Sequence, residues 1–71
     1  MAKRLLVDID LAILSSHLSK EEGRLVDEAE TRKWLTDAGF EQFGERWIVD
    51  EPDLGQLDPS EVRSLEDAPQ G

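Results

Sequence analysis

The stretch that decides the fold runs from Asp27 to Asp50 and reads DEAETRKWLTDAGFEQFGERWIVD; it holds both tryptophans and both phenylalanines of the chain. Asp27 is suited to cap a helix, because its carboxylate can accept a hydrogen bond from an unpaired amide of the first turn. Trp34 and Leu35 then fall on one helical stripe, and Gly39 is a natural left-handed residue after a helix. The pattern predicts a helix over about 28–38.

The second half of this stretch predicts a β-hairpin. Gly44-Glu45 lies between the segments FEQF and RWIV, and glycine in the first position of a two-residue loop is typical of a type II′ turn. We expect strands over about 40–43 and 46–50, with Phe43 opposite Arg46. Trp47 would then face the helix, whereas Phe43 and Ile48 would lie on the other face and need cover from elsewhere.

The N-terminal residues fit two patterns. Apolar residues alternate from Leu5 to Ile13, as in a half-buried strand, but Val7, Leu11, Leu14 and Leu18 also fit a helical stripe. We expect a strand over about 4–9 and a short helix over about 11–18, with Asp10 as its cap. The polar residues 15–23 predict a loop, and residues 24–26 predict a short strand.

The C-terminal part is acidic and carries one helix-start signal, Asp58-Pro59-Ser60-Glu61. We expect a short helix there, with Val62 and Leu65 as its apolar residues, followed by a disordered end from Glu66. The sequence therefore predicts one small α+β domain over residues 1–57 and an acidic C-terminal segment over residues 58–71.

Size and charge limit the function. A 71-residue chain buries only about 60% of the surface that it exposes when unfolded, so its stability should be marginal. The chain has no cysteine and a single histidine, His17, so we expect no disulfide, no metal site and no cofactor. The net charge is −9, and residues 50–71 contain seven acids but only one base, Arg63. This charge opposes direct binding to nucleic acid or to an anionic membrane.

The sequence gives no sign of catalysis or of targeting. The Asp50–Asp53 acids lack the loop that calcium requires, and His17 lacks a neighbouring nucleophile, so we expect a surface histidine and no enzyme. No apolar run approaches the length of a membrane span or makes a convincing signal peptide, which predicts a soluble, cytoplasmic protein.

The leading functional hypothesis is a non-catalytic protein-binding module, an acidic inhibitor or adaptor that docks on a larger, basic partner. One version is an inhibitor that mimics DNA; a second copy of the chain is an alternative partner. Acidic residues would steer the partner, and incompletely covered apolar residues would contact it. The candidate partner-binding residues are Phe43, Ile48, Asp50, Glu51, Asp53, Leu54, Leu57, Asp58 and Glu61.

The alternative hypothesis is a winged-helix-like DNA-binding regulator. A helix followed by a hairpin is typical of the second half of that fold. Arg24, Arg32, Lys33 and Arg46 would then line the DNA face, with the Gly44 turn at the tip of the wing. The negative net charge and the lack of a clear preceding helix argue against this hypothesis.

Overall fold

The computed structural model describes residues 3–69, which form one four-stranded antiparallel sheet with two helices packed on one face. The strand order is β2-β3-β1-β4. The predicted α+β class is confirmed. The elements in chain order are β1 (Arg4–Ile9), α1 (Leu11–Glu22), α2 (Glu28–Asp37), β2 (Glu41–Phe43), β3 (Arg46–Asp50), a one-turn α3 (Glu51–Leu54), a 3-10 turn (Pro59–Glu61) and β4 (Val62–Asp67).

Strand β1 is the centre of the sheet and pairs with β3 on one side and β4 on the other. Its side chains alternate between two faces. Leu5, Val7 and Ile9 are buried beneath the helices on what we term the core face, and Leu6 points to the opposite, outer face. The chain then turns at Asp10, whose carboxylate accepts hydrogen bonds from the first amides of α1. The predicted strand over 4–9 and its capping aspartate are confirmed.

Helix α1 is longer than predicted and absorbs the polar residues expected to form a loop. It continues to Glu22 and ends where Gly23 adopts a left-handed φ of 68°. Its serines hold the next segment in place: Ser15 donates to the Val26 carbonyl, and the Val26 amide donates to the Ser19 hydroxyl at 2.9 Å. The short strand predicted over 24–26 is wrong, since these residues form a loop that buries Val26 against the core.

The stretch from Asp27 to Asp50 folds as predicted. Asp27 caps α2 by accepting from the Glu30 amide at 2.9 Å, and Gly39 follows the helix with a left-handed φ of 101°. In the hairpin, Phe43 pairs with Arg46. A type II′ turn requires a positive φ at its first central residue only. Gly44, in that position, has a φ of 64°, and no non-glycine residue of the described chain has a positive φ.

The C-terminal segment differs most from the prediction. The Asp58 signal does cap a turn, but the turn is a single 3-10 one, and the chain continues as strand β4 instead of a helix. Val62 pairs with Ile9 and Leu65 with Val7, although a spacing of three residues normally puts side chains on opposite faces of a strand. A bulge between these two pairs shifts the register and returns both to the core face. The spacing that looked helical is therefore produced by a bulge.

Strand β4 also changes the expected division of the chain. Its residues are hydrogen-bonded to the central strand, and the Ala68 amide donates to the Arg4 carbonyl at 3.1 Å. Glu66 and Asp67, expected in a disordered end, belong to this strand, whereas Gln70 and Gly71 lie outside the described residues. The acidic segment is thus part of the sheet and not an appendage to it.

Ion pairs cover the outer face of the sheet. Leu6, Ile48 and Ala68 form a small buried cluster there. Arg4 reaches across β3 to Glu41 at 3.2 Å, and Arg46 reaches across β1 to Glu66 at 2.5 Å. The aliphatic parts of such side chains can shield apolar neighbours while the charged ends stay in water. Ile48, which the sequence predicts to need cover, receives it from within the chain.

The two tryptophans differ in how deeply they are buried in the core. Trp47 is 3% exposed and belongs to the main cluster with Val7, Leu35 and Phe40, whereas Trp34 is only partly buried and packs at the edge of that cluster. Replacing Trp47 with alanine should lower the free energy of unfolding by about 3–5 kcal/mol, as deletion of a buried aromatic ring does. Replacing Trp34 should have a clearly smaller effect.

Denaturant unfolding of both variants, followed by circular dichroism, tests this order. Leu25→Ala is the control, because the Leu25 side chain is 85% exposed and its removal should change little. If W47A proves too unstable to fold, Trp47→Phe measures a partial loss at the same position. An equal or larger effect of W34A would contradict this account of the core.

Candidate docking surfaces

The structure separates the nine predicted partner-binding residues by burial. Three of them are buried: Ile48 is 8% exposed, Leu57 is 8% and Glu61 is 3%. Ile48 belongs to the small cluster on the outer face and Glu61 is hydrogen-bonded inside the domain, so neither side chain is free for a partner. Leu57 belongs to the main core, but it also lines the groove described below.

Two of the exposed candidates lie on the outer face of the sheet. Phe43 is 51% exposed on the edge strand β2, and Asp50 at the end of β3 forms an ion pair with Arg4 at 3.7 Å. Phe43 pairs with Arg46, which points to the same face and is held by Glu66. Phe43 and Asp50 line none of the grooves described below.

Three of the candidates, Glu51, Leu54 and Leu57, meet in a groove between α3 and β4, whereas the Asp53 carboxylate lies beside Gly39 at the end of α2. The groove has a volume of about 420 Å³ and an apolar floor, and we term it the β4 groove. It unites Glu51, Leu54 and Leu57 from the predicted set with residues that sequence reasoning did not select, because β4 was not foreseen. Its full lining is Glu51, Leu54, Gly55, Leu57, Pro59, Val62 and Leu65.

Hydrogen bonds to the rest of the domain hold the two walls of this groove in place. The Glu51 amide donates to the Lys3 carbonyl at 2.7 Å, which anchors the start of α3 to the N-terminal end of the sheet. Gln56 donates from its side chain to the carbonyl of Ala38 at 3.0 Å, and so ties the segment after α3 to the end of α2. Leu65, on the opposite wall, is held by the pairing of β4 with β1 and is 49% exposed.

A buried carboxylate secures the turn at the lower end of the groove. One oxygen of Glu61 accepts from the Asp58 amide at 2.6 Å, and the other lies 2.6 Å from Nδ1 of His17 on α1. An ionised Glu61 requires the imidazole to donate from this nitrogen. Glu61 is therefore a structural link between α1 and the start of β4. His17, expected to be a free surface residue, is its partner and is about half exposed.

The sequence of the turn predicts the bond between Glu61 and Asp58, but no neighbouring residue predicts the contact of Glu61 with His17. The helix-start pattern correctly identifies Asp58 as a cap and Glu61 as the residue that returns to it. The contact with His17 spans 44 residues of sequence, and it depends on how α1 packs beside the turn. Only a three-dimensional arrangement brings these two side chains together.

One acid, Glu51, lines the β4 groove, and Asp58 precedes Pro59 of its lining. Among residues 3–69, no cation lies within 4.0 Å of the carboxylates of Glu51, Asp53 or Asp58. Hydrogen bonds from the Ser60 amide and hydroxyl lower the pKa of Asp58, which keeps that carboxylate ionised. The groove thus combines an apolar floor with negative charge at its rim.

A second groove contains three arginines. It lies between α2, the hairpin and the far end of β1, has a volume of about 440 Å³, and includes Arg32, Arg46 and Arg63. Each guanidinium already has a carboxylate partner: Glu28 at 3.6 Å, Glu66 at 2.5 Å and Asp10 at 3.5 Å, respectively. These acids compete with any phosphate that approaches the groove.

Residues 3–69 contain neither a candidate metal site nor a helix that could span a membrane. No group of three potential metal ligands from histidine, aspartate or glutamate comes together there. Over the same residues, none of the helices has the length and apolar character needed to cross a bilayer.

The capping carboxylate of Asp58 gives a pH prediction. Its pKa is lowered in the folded state, so the ionised form stabilises the fold above the ordinary pKa of 3.8, and this contribution is lost as the pH falls through the lower, folded value. In Asp58→Asn the cap remains but the titration disappears. The loss of stability between pH 5 and pH 2 should therefore be smaller in D58N than in the parent chain, with Glu21→Gln as the exposed control. Equal losses in D58N and the parent chain would contradict this role.

No family model matches the chain, and no curated protein or solved structure shows significant similarity to it.

Proposed function

We propose that this protein is a non-catalytic, cytoplasmic docking module that holds a basic, apolar segment of a larger protein in its β4 groove. The observation that carries the proposal is the combination in one groove of an apolar floor, from Leu54, Leu57 and Val62, with the carboxylate of Glu51 at its rim. A segment that alternates leucine-like and lysine-like side chains matches both features. The function is that of an adaptor or inhibitor, which acts by occupying a surface of its partner.

The charges favour a basic partner over a neutral one. Six of the eight basic residues lie in ion pairs with acids of the same chain, so they offset charge locally. Most of the net charge of −9 therefore resides in carboxylates that form no ion pair within residues 3–69, and one of these, Glu51, lines the groove. Such a field accelerates association with a positively charged surface and weakens as salt is added.

Titration of the isotope-labelled protein by NMR tests the proposal with defined probes. The ligand is a short synthetic peptide in which leucine alternates with lysine, and its counterpart has glutamate in place of lysine. We expect the basic peptide to shift the signals of Leu54, Leu57, Val62 and Leu65, with affinity that falls as salt rises. Shifts spread over the whole surface, or equal binding of both peptides, would overturn the assignment of the groove.

A matched pair of charge variants separates the groove from the general field. Glu51→Lys should weaken binding of the basic peptide by about tenfold, because like charges then meet at the rim. Glu45→Lys makes the same change in net charge at an exposed position outside the groove, and should have a much smaller effect. Equal weakening by the two variants would mean that net charge alone governs binding.

A second candidate function, DNA binding, gains support from topology. A helix, α1, does precede α2, and β1 pairs with β3 beside the hairpin, so a strand and two helices lead into a hairpin as in a winged-helix domain. Electrostatics oppose it. Arg24, Arg32 and Arg46 are all held by acids, and of the four cations proposed for the DNA face only Lys33 lacks an ion pair within residues 3–69.

A gel-shift experiment at low salt decides between the two candidates. Duplex DNA that is bound strongly by the parent chain, and not by Arg32→Glu with Lys33→Glu, would favour the winged-helix function. We expect no binding in either case. Circular dichroism of the double variant shows that a loss of binding is not a loss of folding.

A further inference from the structure

The outer edge of β4 is an open edge of the sheet. Strand order places β4 last, and its residues from Arg63 to Asp67 are exposed. An open edge offers unpaired backbone groups to another strand, and proteins with such edges either protect them or use them. The other edge strand, β2, has only three residues and ends at the hairpin turn, so β4 is the longer free edge.

The hydrogen-bonding phase of β4 shows which backbone groups point outward. The Ala68 amide donates to the Arg4 carbonyl, and the two residues are direct partners in the β1–β4 register, so this is a hydrogen-bonded pair. Hydrogen-bonded and non-hydrogen-bonded pairs alternate along antiparallel strands. Ser64 and Glu66 therefore direct their amides and carbonyls to β1, whereas Leu65 and Asp67 direct theirs away from the sheet.

Leu65 combines a free backbone with an exposed apolar side chain. Its partner Val7 is fully buried on the core face, and cross-strand partners share a face, so Leu65 points to that face at its margin. The side chain nevertheless remains 49% exposed, because no strand lies beyond β4. A further strand at this edge would bond to the Leu65 backbone and cover its side chain together.

We propose that the strand which fills this edge is β4 of a second copy of the chain, so that two molecules form a symmetric dimer with one continuous eight-stranded sheet. The register centred on Leu65 is self-complementary. Leu65 of one molecule then lies opposite Leu65 of the other, and the two form a hydrogen-bonded pair because the amide and carbonyl of each point away from its own sheet. The register also brings Arg63 of each copy, the extra residue of the β4 bulge, beside Asp67 of the other, so that an apolar pair is flanked by two pairs of opposite charge.

The pattern of charge explains why a second copy fits better than an arbitrary strand. A register shifted by two residues would still match outward-pointing amides with outward-pointing carbonyls. It would, however, place Leu65 opposite Arg63 or Asp67, and the central contact between two leucines would be lost. Each copy carries a net charge of −9, which opposes association at long range. At physiological ionic strength this repulsion is screened beyond about 8 Å, whereas the pairs at the interface lie in contact. The dimer also brings two β4 grooves side by side across the symmetry axis.

Sedimentation equilibrium of the full chain, from micromolar to millimolar concentration at physiological salt, tests the dimer. We expect a monomer–dimer equilibrium that is weakened by about tenfold or more in Arg63→Glu and in Asp67→Arg, because each change sets like charges opposite one another. The double variant R63E/D67R, and an equimolar mixture of the two single variants, should recover dimerisation. Within one chain the same double change breaks the ion pairs of Arg63 with Asp10 and of Asp67 with Lys3, so recovery cannot arise from folding.

A disulfide and a backbone substitution test the register directly. The chain has no cysteine, so Leu65→Cys adds a single thiol that in the proposed register lies opposite its copy, at the Cα separation of about 5.5 Å that suits a disulfide. It should cross-link much faster than Leu25→Cys, which is more exposed. A chemically synthesised chain with N-methyl-leucine at position 65 keeps the side chain but lacks the outward amide, and should remain monomeric.

Three outcomes would overturn the proposal: a monomer at all concentrations, a dimer that the charge variants leave unchanged, or equal cross-linking at positions 65 and 25. Because Leu65 lines the β4 groove and would be covered in the dimer, the peptide titration is repeated on R63E, which should stay monomeric and keeps every residue of the groove lining. Failure of the dimer and failure of the docking function are then separately observable.

Discussion

The fold depends on hydrogen bonds that later segments make to β1. This strand lies in the middle of the sheet, and both of its neighbours, β3 and β4, come from the second half of the described chain. Its core-face side chains are buried, because the two helices cover that face and β3 and β4 flank the strand on its two edges. These side chains are Leu5, Val7 and Ile9. The β4 groove exists because β4 takes its place on this strand, and the acidic C-terminal residues are held there by backbone pairing despite their charge.

The outer face shows how a two-layer domain of this size manages an exposed sheet. No third layer covers Leu6 and Ile48 within the described chain, yet both are buried. Arg4 and Arg46 extend across a neighbouring strand to carboxylates on the far side, and we infer that their aliphatic stems cover the apolar cluster. Exposed ion pairs add little stability by themselves. Their main contribution here is to cover apolar surface that would otherwise contact water.

The parts of the fold that were predicted correctly have local causes. Asp27, Gly39 and Gly44 act on the residues next to them, through a cap, a left-handed residue and a turn, and all three lie where the sequence places them. The same is true of Asp10 and Asp58 as caps. The helix at 28–37 and the hairpin register follow from these positions alone.

The errors arise where a distant partner decides the conformation. Val62 and Leu65 fit a helix by spacing, and only the bulge beside β1 shows that they belong to one face of a strand. Ser15 and Ser19 suggest a loop by composition, but within α1 they bind the loop that follows it. The docking groove could be predicted only in part for the same reason: Glu51, Leu54 and Leu57 are close in sequence, whereas Leu65 joins them through β4.

The central position of β1 has a consequence for how the molecule is made. Strand β1 precedes both of its partners in the chain, so one of its edges can pair only after β3 has been synthesised and the other only after β4 has been synthesised. Pairings between distant residues also form slowly, because the intervening chain must lose entropy before the contacts form. The alternating apolar segment from Leu5 to Ile9 therefore keeps at least one unpaired edge until residue 67 has been made, and an unpaired edge of this kind can associate with other chains.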